Sequence, residues 1–310
     1  MHRRHLPVLA LATPALAQQR PIRLIVPFGA GGISDVVARI VAEAAATALG
    51  QPIIIENRTG AGGNIAGEAL VRSAPDGQTL MLCSAGMFVA NPLLYARMPF
   101  NPRRDFEPLG LIAVSPHVLV TAGPHATLAA LLDAARAAPQ VLSFSTAGVG
   151  SSPHLSLLLL QSLAGARLLD VHFRSGAEGV QAVLSGQVTA TAEAVVVLSG
   201  QVRAGTLRAL AVCGAERVEQ LPDTPTAAEA GLPGLENGSI AGIVAPRGVP
   251  VDILARLAGA FAAATRAPEI RRRLSAQGTA PLDGDAAAFL ALMDREAARW
   301  TPLLAGVRAV

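Results

Sequence analysis

Residues 22 to 35, Ile-Arg-Leu-Ile-Val-Pro-Phe-Gly-Ala-Gly-Gly-Ile-Ser-Asp, constrain the fold more than any other stretch of the chain. Residues 22–26 form a short apolar run, which is typical of a strand buried on both faces. Three glycines follow, and apolar residues then recur at helical spacing as far as Gly50, with Ser34 and Asp35 at the expected N-cap and first turn. A strand, a glycine turn and a helix N-terminus together predict an anion site, because free N–H groups and the positive end of the helix dipole meet there.

Two other interpretations of the sequence, nucleotide binding at this turn and hydrolysis by a Ser/His pair elsewhere, have weaker support. The turn lacks the third spaced glycine of a dinucleotide fingerprint, although Glu56 lies about twenty positions further on, so nucleotide binding stays an alternative. Ser152 and His154 could suggest a hydrolase, but they are too close along one helix start to act as nucleophile and base. No G-x-S-x-G motif is present, and no His, Cys and carboxylate residues have metal-ligand spacing, so we expect no cofactor and no metal.

The charge of the chain does not indicate a nucleic-acid partner. The net charge is +3 and the sequence pI is about 9.6. Every basic residue except histidine is Arg, so little titrates between neutrality and pH 9, and a small excess of charge is enough to raise the pI. The sequence has no basic run with interleaved aromatic residues, and we expect no nucleic acid to bind.

The N-terminus has the pattern of an export signal. A basic start is followed by an apolar stretch and by Ala15-Leu16-Ala17, which predicts a leader over residues 1–17 that is cleaved near Ala17 in a periplasmic protein. Cys83 and Cys213 lie in apolar runs, where buried free thiols are expected.

The rest of the chain predicts two α/β lobes. Strands and helices alternate, which favours parallel sheets, and the small-residue turns at 60–63 and 84–86 should share the carboxyl edge with the first. Residues 109–121 form one apolar stretch interrupted by Ser115-Pro116, so we predict a strand that leaves the first sheet and enters another. A second series of strands and helices follows, with a glycine turn at 147–152, and three helices in the tail should cover the first sheet.

Several polar side chains at strand ends have more than one interpretation. His172 is typical of a satisfied residue at a strand end. Glu193, at the end of an apolar run, would be costly if buried without a partner, so it is either solvated or directed into a cleft. Arg174 lies just beyond a strand and is the rival to the glycine turns as the anchor of an anion.

In combination, several motifs resemble the tripartite tricarboxylate transporter receptors, the Bug-type (TctC-like) periplasmic solute-binding proteins. The resemblance extends from about Pro21 to the C-terminus. The motifs that carry it are Pro27-Phe28, Gly31-Gly32, Asp35, Ala38-Arg39, Leu49-Gly50-Gln51-Pro52, Glu56-Asn57-Arg58, Gly60-Ala61-Gly62-Gly63, Pro75-Asp76-Gly77, Asp105-Phe106, Ser152, His154-Leu155, Gly186-Gln187-Val188, Leu207 to Val212, Leu221-Pro222, Pro225-Thr226 and Glu229-Ala230-Gly231.

The resemblance implies an α/β fold, a two-lobed periplasmic-binding-protein-like clamp in which each lobe is a βα-layered sheet and the ligand lies in the cleft. We expect lobe I to comprise residues 18–115 plus 226–310 and lobe II to comprise residues 116–225. The implied function is that of a monomeric, non-enzymatic receptor that passes a small carboxylate to a membrane permease. A receptor that presents its ligand to a membrane sensor, and an α/β enzyme that uses a nucleotide or hydrolyses its substrate, are the alternatives.

The resemblance also implies how the ligand is held. A ligand carboxylate would be bound by main-chain N–H groups of the first turn and of the facing turn in lobe II. Some residues of the predicted site are implied by the resemblance, and others are chosen from the sequence pattern alone. Together they are Phe28, Gly29, Ala30, Gly31, Gly32, Ser34, Asp35, Ser84, Ala85, Thr146, Gly150, Ser151, Ser152, His154, Arg174 and Glu193. The chain departs from the family pattern at Ala30, His172 and Ile240, where the family commonly has Pro, Pro and Trp.

Overall fold

A computed structural model describes residues 20–305 and residue 307, so the predicted leader at residues 1–17 lies outside the described residues. The strands are Ile22–Val26 (β1), Ile53–Asn57 (β2), Thr79–Ser84 (β3), Phe106–Thr121 (β4), Ser143–Thr146 (β5), Leu169–His172 (β6), Ala190–Ala194 (β7), Arg208–Cys213 (β8), Gly238–Pro246 (β9) and Ala280–Pro281 (β10). The helices are Ile33–Leu49 (α1), Asn64–Val71 (α2), Asn91–Leu94 (α3), Pro102–Asp105 (α4), Leu128–Ala137 (α5), Ser152–Ala164 (α6), Gly176–Leu184 (α7), Val195–Arg203 (α8), Val251–Arg266 (α9), Pro268–Ala276 (α10) and Ala286–Leu304 (α11). A π-helical segment, Gly86–Ala90, precedes α3.

The first three strands confirm the predicted parallel arrangement. β1 lies between β2 and β3 and pairs in parallel with both, with Leu24 opposite Ile55 on one side and Ile25 opposite Met81 on the other. The carboxyl ends of the three strands therefore lie along one edge, and the turn that follows each strand begins there. β9 continues this sheet in the antiparallel sense beside β3.

The strand β4 connects the two halves of the fold, as the sequence predicted. Its residues 106–116 pair with β9, whereas residues 117–121 pair with β7 and β8. The change of partners takes place at Ser115-Pro116. Beyond β7 the second sheet continues through β5 and β6 in parallel.

The C-terminal tail packs on the first sheet, as the sequence predicted. α9 lies against α1 and β4, and α11 lies against β4 and the π-helical segment. Trp300, Phe289 and Phe88 are buried in the aliphatic core beneath α11. Both cysteines are buried free thiols, as expected.

Several elements differ from the sequence predictions. The stretch expected to be a loop at 99–108 contains α4, because the Asn101 side chain accepts from the N–H groups of Arg103 and Arg104 and caps a short helix. The helix α8 was not predicted. The strand expected at 188–192 instead occupies Ala190–Ala194, which moves Glu193 into the strand. Within residues 20–305, none of the helices combines the length and the hydrophobicity that crossing a membrane requires.

Candidate ligand-binding site

A cavity lies at the carboxyl edge of the first sheet, where β4 passes from one half of the fold to the other. Including its opening to solvent, the space measures about 530 Å³. It is lined by residues from both halves. The lining residues are Phe28, Gly32, Ile33, Ser34, Val37, Ser84, Ala113, Ser115, Ala147, Ser151, Ser152, Pro153, Gly176, Glu193, Ser239, Ile240 and Ala241.

The N-termini of three helices meet at this cavity. α1 starts after its N-cap Gly32, α6 after Ser151, and α7 starts at Gly176. The first N–H groups of a helix have no intrahelical acceptor, and the helix dipole places partial positive charge at the same point. Since no Arg or Lys lies among the lining residues of the described chain, the groups that can attract an anion to the cavity are these helix N-termini and hydroxyl donors.

The cap of α1 differs from the sequence prediction. Ser34 was expected to cap the helix, but Gly32 is the N-cap and no side chain caps the terminus. Gly32 has φ −77°, so this glycine does not adopt the left-handed conformation. Gly31 has the left-handed conformation instead, with φ +80°.

Asp35 holds the first turn in place without lining the cavity. Its carboxylate accepts hydrogen bonds from Arg39 at 3.0 and 2.9 Å, from the Gly31 N–H at 3.2 Å and from the Asn57 amide at 3.0 Å. The same Asn57 nitrogen donates to the Phe28 carbonyl at 2.9 Å. Burial disfavours the ionised form of Asp35, but these hydrogen bonds together outweigh it and lower the pKa of the carboxyl.

A second polar cluster supports the facing turn. The His154 Nδ1 accepts a hydrogen bond from the Gly150 N–H at 3.1 Å, and its Nε2 lies 3.4 Å from the Asp170 carboxylate. The His172 Nδ1 bonds to the Thr146 hydroxyl at 2.6 Å. The hydrogen bond with His154 is the largest cause that lowers the pKa of Asp170, while burial lowers the pKa of His172.

The sequence did not predict that His154, Asp170 and His172 would come together. Each offers one potential metal-ligand atom, and these atoms lie within 4.8 Å of one another. The Gly150 N–H occupies the lone pair of His154 Nδ1, so in the neutral ring the Nε2 carries the hydrogen and faces Asp170. In this tautomer His154 has no free lone pair for a metal ion, and the cluster serves to order the turn.

A buried polar network supports the cavity wall where β4 changes partners. The His117 ring bonds to the Ser156 hydroxyl at 2.8 Å and to the Ser239 hydroxyl at 3.0 Å. The Asn237 amide donates to the Ser156 hydroxyl and to the Ser152 carbonyl, both at 2.9 Å. Burial lowers the pKa of His117 to about 3, so its ring is neutral near pH 7.

Two further hydrogen bonds link the halves where the turns of the two lobes face each other. The Gly29 N–H donates to the Arg174 carbonyl at 3.3 Å, and the Tyr95 hydroxyl donates to the Val149 carbonyl at 3.1 Å. Gly62 also approaches the Val149 carbonyl so closely that an added Cβ would overlap it. The turns of the two lobes are therefore in contact in this conformation.

Glu193 is buried in the wall of the cavity. The residue lies on β7, an inner strand of the sheet, opposite Val118 of β4, and it is 2% exposed. Desolvation raises the pKa of Glu193 to about 8, against a smaller opposing effect of a hydrogen bond from the Ala194 main chain. Of the two interpretations left open by the sequence, the structure therefore places it at the cleft.

The predicted site residues fall into two groups. Those that line the cavity are Phe28, Gly32, Ser34, Ser84, Ser151, Ser152 and Glu193. Those that lie behind or beside it are Gly29, Ala30, Gly31, Asp35, Ala85, Thr146, Gly150, His154 and Arg174. Most of the second group support the turns by the hydrogen bonds described above, and the exposed Arg174 contributes its main-chain carbonyl.

The lining residues that sequence reasoning missed come mainly from β4 and β9. Ser115 lies opposite Ser239 in the antiparallel ladder, and both reach the cavity beside Ile240. The pairing of β4 with β9 cannot be read from the sequence, so nothing near either serine indicated that it belongs to the site. Ile240 was noted only as a departure from the family pattern, and the structure places it in the cavity wall.

The comparisons with known proteins agree with this architecture. The sequence profile of the tripartite tricarboxylate transporter family receptor matches residues 37–308. The chain belongs to this receptor family. It is 34% identical to the protein BugT of Bordetella pertussis over 280 residues, which cover 89% of the chain and 84% of BugT.

Solved structures of the receptor family share the fold. The chain is similar to MatC of Rhodopseudomonas palustris, solved with bound malate, with a TM-score of 0.88, 33% identity and coverage of 92% of this chain and 99% of that one. It has the same TM-score and identity to an R. palustris protein solved with adipate, covering 93% and 98% of the two chains. The fold is thus the two-lobed α/β clamp of periplasmic solute-binding receptors.

Proposed function

We propose that this receptor captures a small carboxylate in the periplasm and delivers it, chemically unchanged, to a membrane permease of the tripartite tricarboxylate type. The observation that carries the proposal is the cavity between the lobes, where three helix N-termini meet and no Arg or Lys lies among its lining residues in the described chain. Such a site holds an anion by main-chain N–H groups.

The proposed ligand class agrees with the relatives. The two R. palustris proteins were solved with malate and with adipate, which are both dicarboxylates. The alignment of each protein covers almost the whole of this chain. Six serines line the cavity of this receptor and can donate to carboxylate oxygens: Ser34, Ser84, Ser115, Ser151, Ser152 and Ser239. Hydrogen bonds to a charged group contribute roughly 1.5–3 kcal/mol each, so a few of them suffice for binding.

The proposal includes the division into lobes and the export of the chain. The change of sheet partners at Ser115-Pro116 supports a boundary between lobe I (18–115 plus 226–310) and lobe II (116–225). Expressed with its own N-terminus, the protein should appear in the periplasm and begin near Gln18. Recovery of the full-length chain from the cytoplasm would contradict export.

Mass spectrometry of small molecules released from natively purified protein tests the function directly. We expect a carboxylate, and a saturating amount of the same compound should lower the radius of gyration in solution scattering and return unchanged after incubation. Conversion of the compound would favour the enzyme alternative, and a ligand without a carboxylate would contradict the proposal.

A further inference from the structure

Glu193 is the only carboxyl group among the lining residues of the described chain, in a cavity suited to anions. An ionised Glu193 would repel a bound carboxylate, and because Glu193 is buried, water would screen that repulsion only weakly. The presence of an acid at this point therefore needs a chemical explanation beyond the general affinity for anions.

The contacts of Glu193 leave it free to bind a ligand. Its Oε1 is buried and has no hydrogen-bond partner among the described residues, and the same holds for the Oγ of Ser151, which also lines the cavity. The carboxyl packs against Gly176, at the start of α7, where an added Cβ would overlap it. The absence of a side chain at Gly176 thus provides the space in which the acid sits.

The charged groups around Glu193 do not compensate an ionised form. The elements packed against β7 contribute His117 on β4, His154 on α6, Glu178 on α7 and Arg203 on α8, while β5 and β9 contain no ionisable side chain. The other ionisable residue of β4, Glu107, lies near the opposite end of that strand and pairs with Arg247. His117 is neutral near pH 7 because burial lowers its pKa to about 3. Glu178 is exposed, and none of the four forms an ion pair or a hydrogen bond with Glu193 in the described structure.

We propose that Glu193 is a specificity-determining residue that binds the ligand as a neutral carboxylic acid, with its O–H donating a hydrogen bond to an oxygen of the bound carboxylate. This inference rests on the proposed function and adds to it the protonation state of Glu193 in the complex. A neutral acid adds a donor to the cavity without adding charge, and a proton shared with a carboxylate gives a short, strong hydrogen bond. A cationic group on the ligand is not needed.

The proposal predicts how affinity depends on pH. The pKa of about 8 means that Glu193 is mostly protonated at pH 7 and mostly ionised at pH 9.5. The carboxyls of malate and adipate do not titrate in this range, so their affinity for the wild-type receptor should fall about 30-fold between these two values. In Glu193→Gln, which keeps a donor but cannot ionise, calorimetry should show less than about a threefold change over the same range.

A second measurement needs no ligand. A carboxyl whose pKa is higher in the folded state than in the unfolded one destabilises the fold as pH rises between the two values. The wild-type equilibrium constant for unfolding, relative to that of Glu193→Gln, should therefore increase about tenfold per pH unit between pH 5 and 8 and then level off. Chemical unfolding followed by circular dichroism at several pH values measures this.

Glu219→Gln is the matched control, since Glu219 is exposed and lies outside the cavity. It should follow the wild-type protein in both measurements. Gly176→Ala, which displaces the acid without removing it, should weaken binding at pH 7 while the far-UV spectrum stays that of the wild type.

The outcomes separate this inference from the proposed function. A flat ratio of unfolding constants, or wild-type affinity that does not change between pH 7 and 9.5, would overturn the neutral acid while leaving a carboxylate receptor intact. If neither malate nor adipate binds at pH 7, the unfolding experiment still decides whether Glu193 is protonated, and the choice of ligand class is then at fault. Preferential binding of L-aspartate over malate that is lost in Glu193→Gln would show an ionised Glu193 paired with an ammonium group and would overturn the inference.

Discussion

Replacement of Asp35 by alanine tests whether the first turn is held from behind the cavity. Asp35 is 4% exposed and accepts hydrogen bonds from Arg39, from Asn57 and from the Gly31 N–H. It does not line the cavity. Its effect on ligand binding should therefore act through the position of the turn that carries Phe28 and Gly32.

The expected loss of unfolding free energy is the sum of the interactions that Arg39, Asn57 and Gly31 make with Asp35. The side chain of Arg39 is 54% exposed, so its ion pair is discounted to about 1 kcal/mol for solvent screening. The hydrogen bonds from Asn57 and Gly31 contribute about 0.5–1 kcal/mol each, because Asn57 keeps its bond to Phe28 and the exposed Gly31 can turn to water. The Asp35→Ala protein should thus lose about 2 kcal/mol of unfolding free energy and bind carboxylate about tenfold more weakly.

The assay is urea unfolding at pH 7 with calorimetry on the same samples. Asp133→Ala is the matched control: Asp133 is exposed, pairs with Arg136 on the surface of α5, and should change stability by no more than about 0.5 kcal/mol. Because the pKa of Asp35 is lowered in the folded state, its stabilisation is complete above the unfolded value near 3.8 and disappears as pH falls through the folded value. A loss of stability no larger than that of the control, or unchanged affinity despite a larger loss, would show that Asp35 does not hold the turn in its binding position.

The remaining predictions concern the two turns. Gly31→Ala should cost about 1 kcal/mol of unfolding free energy, measured in urea, because φ at this position is +80°. Gly32→Val should keep the wild-type melting temperature, since φ is −77° and an added Cβ makes only an ordinary contact of 3.5 Å with the Gly29 carbonyl. The valine side chain should reduce carboxylate affinity at least about tenfold in calorimetry. Wild-type affinity of this variant would show that Gly32 is not part of the site. Asp170→Asn should destabilise the fold at pH 6, because the contact with His154 lowers the pKa of Asp170. The difference from the wild type should shrink as pH falls below the unfolded value of 3.8 and through the lower folded value, and a difference in urea unfolding that does not change with pH would contradict this.

The sequence predicted those parts of the fold that depend on local patterns. The run of residues 22–26 before the glycines and the helical spacing after them identified β1 and α1. The Ser115-Pro116 interruption correctly marked the point at which β4 changes sheets. Each of these signals lies within a few residues of the feature that it predicts.

The site was less predictable because strand pairing and register decide it. Glu193 lies in an uninterrupted run of Ala, Val and Thr, where no local signal ends the strand, and its pairing with Val118 fixes the register. His154 and Asp170 meet because β6 pairs with β5 beside the start of α6. Side chains brought together by non-local pairing leave no trace in the spacing of the sequence.

Calorimetric titration of the protein at pH 7 with malate, adipate and their uncharged diamides tests whether the cavity selects carboxylates. A cavity that holds carboxylates by helix N-termini and serine hydroxyls should bind at least one diacid saturably, should not bind the corresponding diamide measurably, and should release the diacid unchanged. Equal affinity for diacid and diamide, or chemical conversion of the bound diacid, would contradict the account.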